Sequence, residues 1–490
     1  MARSLFALLS SRYGPKVTVE DRREMLKATL LASAGLLLSG TGVFAQAAGK
    51  KRVVVVGAGF AGLAAAFELK SAGYDVTVVE ARNRVGGRVL SFSDLVSGKN
   101  VEGGAELIGS NHPTWVAYAE KFGLKFLDVS EPEGVEFPII LGGQRLTAKE
   151  SEELWEQMDA ALKKMGEDAA KIDEDEPWTA PDAAALDRQS VQDWIARQEL
   201  SAICKMGIAA MLNADNGVSV TRQSYLGLLA AVKGGGLDKY WTDTEVYRCA
   251  GGNQQLATKL AEGIGKDWIV LGLAVKSISS RGGNMNVGCA DGRNIEADDV
   301  ILTVPPSVWK RIDIQPPLPA ALNPQMGTSV KYLSAVKKRF WKERNLAPDA
   351  MTDGEVSMTW DATDNQPGDD AACLTVFSSG PGAETLRARE PEARKAALAA
   401  GLESLYPGYK ENAGATRLMD WPSDPLTMAG YSYPAPGQVT AQGPILRKGI
   451  GRLHFAGEHT CYKFVGYMEG GLNSGASLAK RIAVRDGVVK

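Results

Sequence analysis

Two glycine-rich turns lie near opposite ends of the 490-residue chain, and each follows a short apolar run that predicts a strand. The first turn is Gly57-Ala-Gly59-Phe-Ala-Gly62, directly after the β-branched residues 53–56. In this spacing the first glycine permits a tight turn, the second lets a pyrophosphate approach the backbone, and the third lets the next helix pack on the strand. The N-terminus of that helix adds unpaired N–H groups and a partial positive charge. The pattern predicts a dinucleotide site.

An acidic residue follows at the place expected for a ribose ligand. Residues 74–79 predict a second strand, which ends at Glu80. The next segment, ARNRVGGR at residues 81–88, adds two glycines and three arginines. A nicotinamide dehydrogenase has no need of this extension. Arginines placed here can reach the diphosphate and the isoalloxazine end of an extended flavin dinucleotide, so the segment favours a flavin.

The side chains that usually carry metal or nucleophilic chemistry are sparse. Only His112, His454 and His459 are histidines, and no Ser/His/Asp signature or metal-ligand spacing includes them. The five cysteines have no CxxC spacing, and their odd number excludes complete pairing within the chain. We therefore expect no metal site and expect the chemistry to come from a bound cofactor.

The second glycine-rich turn gives the flavin half of an extended dinucleotide a cradle of its own. Phe455-Ala-Gly457-Glu458 closes a strand, and Gly466-Tyr-Met-Glu-Gly-Gly471 begins a helix. The N–H groups at that helix N-terminus can face the flavin pyrimidine, where reduction develops negative charge. Two distant elements are thus expected to bind one cofactor.

These segments resemble the flavin-dependent amine oxidase family, of the monoamine oxidase and L-amino acid oxidase type. The family carries the same strand, GxGxxG, Glu and RxGGR series, and its FAGE…SGYMEG segment is similar to residues 455–470. Residues 101–109 (VEGGAELIG) resemble its glycine turn beside the flavin ring, and residues 273–278 resemble its strand whose valine touches the adenine.

The resemblance implies bound FAD. Monoamine oxidases carry a flavin-bonded cysteine immediately before a substrate tyrosine, where this chain has Gly430, so we expect the FAD to be non-covalent. The implied cofactor-binding residues are Gly57, Gly59, Phe60, Ala61, Gly62, Glu80, Ala81, Arg82, Gly87, Arg88, Gly104, Ala105, Glu106, Val275, Gly457, Glu458, Gly466, Tyr467 and Met468.

The fold implied by the resemblance is α/β. It combines a Rossmann-like FAD-binding domain, discontinuous in sequence, with a substrate domain of mixed sheet and helices. We predict residues 48–112, 245–312 and 428–490 for the FAD-binding domain. Residues 113–244 and 313–427 are predicted to form the substrate domain.

Three side chains match the catalytic positions of the family. Lys331, in a segment that ends in Phe340-Trp341, matches a lysine that contacts flavin N5 through a water. Tyr431 and Tyr467 match two aromatic side chains that sandwich the substrate amine. Such a cage favours a neutral amine and excludes water.

The substrate stays open between several amines. Local details resemble bacterial L-amino acid oxidases, which favours oxidation of an L-amino acid by O2, with hydrogen peroxide as product. Many such enzymes use an arginine for the substrate carboxylate where this chain has Leu107, and Arg222 is a candidate replacement. Glu106 could instead meet a cationic or amino group, and a structural role for Glu106 is equally open. Monoamine or polyamine oxidase and tryptophan 2-monooxygenase activity are alternatives, so the product could be a 2-oxo acid, an aldehyde or an amide. A non-oxidase flavin-binding relative is an alternative of another class.

The N-terminus predicts export. Arg22-Arg23 precede a mildly apolar stretch at residues 28–44 and a small-x-small site at residues 45–47. Together they predict a twin-arginine signal peptide over residues 1–47 and a periplasmic or secreted protein. The apolar stretch is short for a membrane span, so we expect none that is stable. With a net charge of −3 we expect no nucleic-acid partner, and a homodimer is left open.

Overall fold

The structure is a computed structural model, and it describes residues 4–15, 19–33, 35–38, 51–129 and 134–489. The proposed signal cleavage site at residues 45–47 lies outside the described residues.

The α-helices of the described residues are α1 (Leu5–Tyr13), α2 (Val19–Ala32), α3 (Phe60–Ser71), α4 (Pro113–Phe122), α5 (Ala148–Ala169), α6 (Ala183–Arg188), α7 (Val191–Arg197), α8 (Ala202–Asn216), α9 (Tyr225–Gly234), α10 (Asp238–Asp243), α11 (Gln254–Ile264), α12 (Pro381–Arg387), α13 (Pro391–Leu405), α14 (Tyr409–Asn412), α15 (Gln438–Lys448) and α16 (Met468–Arg485).

The strands are β1 (Arg52–Val56), β2 (Asp75–Val79), β3 (Ser91–Phe92), β4 (Val101–Glu102), β5 (Phe126–Asp128), β6 (Ile139–Leu141), β7 (Gln144–Arg145), β8 (Tyr247–Cys249), β9 (Ile269–Val270), β10 (Val275–Arg281), β11 (Asn284–Cys289), β12 (Asn294–Ala297), β13 (Asp299–Leu302), β14 (Asp313–Gln315), β15 (Ser329–Val336), β16 (Ala350–Thr352), β17 (Met358–Asp361), β18 (Ala372–Ser379), β19 (Ala413–Met419) and β20 (Leu453–Phe455).

A parallel sheet of order β20-β13-β1-β2-β9 carries the first glycine turn. Its central strand β1 is buried from Val53 to Val56, as a parallel strand covered on both faces should be. Helices α3 and α16 pack against each other on one face of this sheet and share a core with it. The strands come from distant parts of the sequence, so this Rossmann-like unit is discontinuous, as predicted.

A smaller sheet, of order β12-β11-β10-β14, packs beside the parallel sheet. Strand β10 begins at Val275, the residue expected beside the adenine. Strand β14 pairs with β10 although it follows the predicted boundary at residue 312. The other domain boundaries stay predictions.

The third sheet forms the opposite side of the molecule, with order β19-β15-β18-β17-β16-β6-β7. Its pairs are antiparallel except for β16 with β6. Helices α5, α8 and α9 share a large core that includes residues of this sheet. The mixed sheet plus helices agree with the predicted fold of the substrate side, and strand β15 carries Lys331.

The first helix, α1, is part of the folded core. Leu5, Phe6, Leu8 and Leu9 are all buried, and the helix packs against α5, α10 and α8. Helix α2 lies elsewhere, against α4, and Arg22 makes an ion pair with Asp128 at 2.8 Å. None of the helices that the structure describes has the length and apolar character needed to cross a membrane.

Candidate active site

One long cavity of about 1910 Å³, including its open mouth, runs between the parallel sheet and the third sheet. It begins at the carboxyl end of β1 and reaches the tyrosines at residues 431 and 467. Every cofactor-binding residue expected from the sequence lines it except Gly62, and the three expected catalytic side chains line it too. Parallel strands end at a common edge, which is why residues so distant in sequence meet here.

The three glycines of the first turn have three different surroundings. Gly57 has a φ of +108°, which favours glycine. A Cβ on Gly59 would have no protein atom within 4 Å and would project beside the cavity, so the space is left for a ligand. A Cβ on Gly62 would lie 2.0 Å from the carbonyl oxygen of Gly57, so this glycine holds helix α3 against the turn. These are the turn, approach and packing roles that the motif predicts.

Glu80 closes the same turn from the end of β2. One carboxylate oxygen accepts the backbone N–H of Ala58 and the other accepts that of Arg82, each at 2.7 Å. The side chain is buried but lines the cavity. Glu80 therefore shapes the loop in addition to its expected contact with a ribose.

The arginines after Glu80 have separate partners. Arg82 makes two short hydrogen bonds to Asp424, and Arg88 donates to the carbonyl of Gly430 and to Glu458. Arg84 does not line the cavity; it donates to backbone carbonyls of its own loop. Arg82 and Arg88, the two arginines expected to bind the cofactor, thus line the cavity, and Arg84 does not.

Lys331 is buried and has acceptors around its whole ammonium group. Its Nζ donates to the carbonyls of Glu102 and Gly104 and to Glu106 Oε2, at 2.9, 3.0 and 2.6 Å. The aromatic face of Trp360 lies 5.1 Å away. A lysine buried in this way needs such partners, and it does not point to solvent as Lys337 and Lys338 do.

Glu106 is the counter-ion of this site. Its carboxylate accepts from Lys331, from Arg248 Nε at 2.6 Å and from the Trp360 indole at 2.8 Å. Burial alone would raise the pKa of Glu106, but Lys331 and Arg248 lower it to about 2. Three donors hold this carboxylate, which favours the structural role of Glu106 over contact with a substrate amino group.

The second glycine element forms the far end of the cavity. Helix α16 begins at Met468, and its N-terminus faces the cavity, as does that of α3. The buried Glu458 accepts from the hydroxyl of Ser432 and from the N–H of Gly466. Burial alone would raise the pKa of Glu458, but Arg88 holds it below its usual range. The two positively polarised helix ends lie on one cavity, as a single extended anion would require.

Tyr431 and Tyr467 line the same part of the cavity. The Tyr431 hydroxyl contacts the carbonyl oxygens of Ala214 and Asp215, and the ring lies close to Gly466, whose φ is +84°. The Tyr467 ring meets the neutral ring of His112 edge-on at 5.6 Å. Burial raises the pKa of both tyrosines, so both hydroxyls stay protonated.

Sequence reasoning missed one wall of the cavity. Thr303 follows β13 directly, and Trp421 donates its indole N–H to the carbonyl of Gly103. Thr303 could have been found, because it ends a strand parallel to β1 and must lie at the same sheet edge. Trp421 follows β19 in the third sheet, and no spacing in the sequence indicates that contact.

The residues fit an extended dinucleotide on their own evidence. The open space beside Gly59, the acid at Glu80 and the two helix N-termini lie along one continuous cavity. Among the described residues no group of histidine, cysteine or acidic side chains could hold a metal ion. All five cysteines are buried and unpaired.

Comparison with known proteins agrees with this geometry. Residues 60–483 match the model of a family described as flavin containing amine oxidoreductase. The chain belongs to this family. It is a flavin-dependent amine oxidase, and its cofactor is FAD.

Three similar proteins illustrate the range of the family. A protein named "Probable flavin-containing monoamine oxidase A" from Dictyostelium discoideum is 26% identical over 468 residues, covering 88% of this chain and 97% of that protein. An L-amino acid dehydrogenase from Synechocystis sp. is 27% identical, covering 88% and 94%. The structure of a putrescine oxidase with bound putrescine is 27% identical, covers 89% of this chain and 99% of that one, and has a TM-score of 0.79.

Proposed function

We propose that this amine oxidase converts a primary amine to an imine, with O2 reduced to hydrogen peroxide. Water then hydrolyses the imine to a carbonyl compound and ammonia. The observation that supports this best is the position of Tyr431 and Tyr467, which line the cavity at the end where helix α16 begins. A substrate between the two rings would lie at the flavin end of the dinucleotide.

FAD, when bound, supplies a two-electron acceptor for the hydride that leaves the carbon beside the amine nitrogen. Residues of this chain position the substrate and keep water out of the site. Tyr431 and Tyr467 are proposed to orient the amine and to exclude water. Since both hydroxyls stay protonated, the cage carries no charge of its own and favours the neutral amine, whose nitrogen lone pair is needed to form the imine.

Lys331 is proposed to act as a fixed charge beside the reacting atoms. Its contacts with two carbonyls and Glu106 hold the ammonium group in one place on strand β15. A positive group fixed in a buried site stabilises negative charge without reorganising during the reaction. All three N–H donors of the ammonium group have protein acceptors, so the family contact through a water to flavin N5 would require one of these hydrogen bonds to be exchanged.

The charges in the cavity favour an amine without a neighbouring carboxylate. Arg222, the candidate carboxylate ligand, does not line the cavity; it is 54% exposed in its side chain and contacts Gln325 and Glu384. Leu107 lines the cavity but is apolar. A buried carboxylate without a cationic partner is costly, so an amino-acid carboxylate would be poorly bound here.

An L-amino acid remains the second candidate. The similar protein named L-amino acid dehydrogenase favours it, as do the sequence details that resemble bacterial L-amino acid oxidases. Arg82 and Arg88 line the cavity, but Asp424 and Glu458 already pair with them. An amino-acid substrate would therefore have to compete with these carboxylates.

A substrate panel tests the proposal. Purified full-length protein is offered alkylamines, arylalkylamines, diamines and L-amino acids, and peroxide is measured together with the carbonyl or amide product. We expect bleaching of the flavin spectrum by at least one primary amine without oxygen, and peroxide when oxygen returns. If no amine or amino acid bleaches the flavin, the proposed reaction is wrong. Bleaching without peroxide would instead indicate a dehydrogenase that uses another acceptor.

A further inference from the structure

Residues 421–430, which we call the strap, follow strand β19 and lead directly to Tyr431. The outer side of the strap is at the surface, since Ser423 and Met428 are exposed. Its inner side lines the cofactor cavity through Trp421, Pro425, Leu426, Thr427 and Gly430. The strap therefore lies between the cavity and solvent, and FAD bound in the cavity would lie against it.

An ion pair joins the middle of the strap to the loop that follows Glu80. Arg82 Nη1 and Nη2 donate to the two carboxylate oxygens of Asp424 at 2.9 and 2.6 Å, and Nη2 also donates to the Thr427 hydroxyl at 2.9 Å. Bidentate pairing of this kind fixes the plane of a guanidinium group. Since Arg82 lines the cavity, the strap holds this guanidinium group at the wall where FAD binds.

The pair is largely shielded from solvent, with side-chain exposures of 16% for Arg82 and 25% for Asp424. Burial alone would raise the pKa of Asp424, but the hydrogen bonds from Arg82 hold it below its usual range. In the part of the chain that the structure describes, the Nε–H of Arg82 and one N–H of its Nη1 have no acceptor. These two donors remain for an anion in the cavity, such as the diphosphate of FAD.

The other polar contacts between the strap and the FAD-binding half are weaker in kind. Three side chains donate to backbone carbonyls of the strap: Arg88, Ser307 and Arg311. Among the described residues, Asp424 is the only strap residue whose side chain forms an ion pair. Charge-assisted, bidentate hydrogen bonds are the strongest of these contacts. Loss of Asp424 would therefore loosen the strap more than loss of any one of the others.

The backbone of the strap also depends on Asp424. Met428 has a φ of +54°, which is uncommon for residues other than glycine. Its N–H donates to the carbonyl of Asp424 at 2.8 Å, and Asp424 Oδ1 accepts the N–H of Leu426 at 2.9 Å. A strained position of this kind persists where its surroundings hold it in place. Asp424 thus holds both the side chain of Arg82 and the turn that ends the strap.

We propose that Asp424 is a positioning residue of the cofactor site, which acts through Arg82 to keep the strap closed over bound FAD and so slows FAD release. Opening of the strap breaks the ion pair and frees the path between the cavity and solvent. This role concerns the cofactor and does not depend on which amine is oxidised.

The rate of FAD release from the full-length holoenzyme tests this role. Isotope-labelled FAD is added in excess, and its replacement of the bound FAD is followed by mass spectrometry. We expect Asp424→Asn to release FAD about 10-fold faster, because the amide keeps the shape of the side chain but cannot pair with Arg82 in a bidentate manner. Asp424→Glu keeps the charge and should release FAD more slowly than Asp424→Asn.

Asp94→Asn is the matched control. Asp94 makes a bidentate pair with Arg417 at 3.1 and 3.0 Å, and neither of these residues lines the cavity. We expect its release rate to equal that of the wild type. An unchanged rate in Asp424→Asn, or an equal increase in Asp94→Asn, would overturn the proposal.

Two further measurements show whether Asp424 acts through Arg82 and the strap. Asp424→Asn should change the release rate of an Arg82→Gln chain by less than about twofold, because residues that act through one contact are not additive. Backbone hydrogen exchange should become faster at residues 421–430 in Asp424→Asn and stay unchanged in strand β1. Multiplied effects of the two substitutions, or unchanged exchange in the strap, would overturn the proposal.

A milder variant covers the case in which Asp424→Asn is purified without FAD. Thr427→Val removes one acceptor of Arg82 and leaves the ion pair in place, and we expect FAD release about threefold faster. A wild-type rate in Thr427→Val would then overturn the proposal. Because FAD release is measured without substrate, its outcome is independent of the proposed amine oxidation.

Discussion

Lys331 and Glu106 illustrate what the sequence could reveal about a single residue. The lysine is conspicuous in an apolar strand, and its motif places it at the flavin. Its counter-ion does not follow from the sequence, because Glu106 lies 225 residues away and meets Lys331 only in the folded chain. An ion pair between distant segments produces no recognisable residue spacing in the sequence. For this reason the sequence left a contact of Glu106 with the substrate open.

For Lys331→Met we expect FAD content near wild type and a fall in flavin reduction or reoxidation of about 100-fold or more, because the fixed charge beside the reacting atoms is lost. Rapid mixing without and then with oxygen separates the two steps. Lys338→Met, at an exposed position just beyond the same strand, is the control. Wild-type rates in Lys331→Met would remove this residue from the mechanism.

Glu80→Ala should weaken FAD binding by about 10- to 100-fold. A hydrogen bond to a charged group contributes roughly 1.5–3 kcal/mol, and the change also frees the N–H groups of Ala58 and Arg82. The measurement is the FAD dissociation constant by fluorescence, with Glu120→Ala on the exposed face of α4 as control. An unchanged FAD dissociation constant would contradict both the contact of Glu80 with the ribose and its role in holding the loop.

At the scale of elements, most of the FAD-binding half follows from local pattern. Buried β-branched strands, glycine turns and the helices after them were predicted near their observed positions. The packing of α3 on α16 was not predicted. It joins the two ends of the chain through small residues, which show no helical periodicity of apolar side chains. A Cβ on Gly475 would lie 2.2 Å from the carbonyl oxygen of Ala61, so this crossing depends on glycine.

Gly475→Ala separates packing from helix propensity. Propensity alone favours alanine by about 1 kcal/mol inside a helix. Overpacking costs about 1–3 kcal/mol and moves the two helix N-termini apart. We therefore expect a lower midpoint of thermal unfolding and weaker FAD binding, while Ser477→Ala in the same helix leaves both unchanged. A higher midpoint of thermal unfolding in Gly475→Ala would contradict this expectation, because it would show that helices α3 and α16 can move apart without a loss of stability.

Helix α2, which carries the paired arginines of the predicted export signal, packs on the rest of the molecule. Arg22 pairs with Asp128, so in the structure one signal arginine is engaged by the body of the protein. We expect Arg22→Lys together with Arg23→Lys to leave uncut chain in the cytoplasm, detected by fractionation and intact mass. Asp128→Asn breaks the ion pair but keeps the arginines, and it should be exported normally. Mature protein outside the cytoplasm in the lysine variant would mean another export route.

Removal of the predicted signal peptide would also remove helix α1, which packs in the core. It precedes the proposed cleavage site, yet Leu5, Phe6, Leu8 and Leu9 are buried in the core, each contributing about 1.5–3 kcal/mol. Ser4 and Ala7 also line a small cavity together with Asp215, Trp241 and Tyr467. Cleavage after residue 47 that releases this helix would expose an apolar groove and would open the small cavity beside Asp215 to solvent. We expect acrylamide to quench Trp241, now 4% exposed, more strongly in the chain 48–490 than in the full one, and Trp241→Phe should reduce this difference.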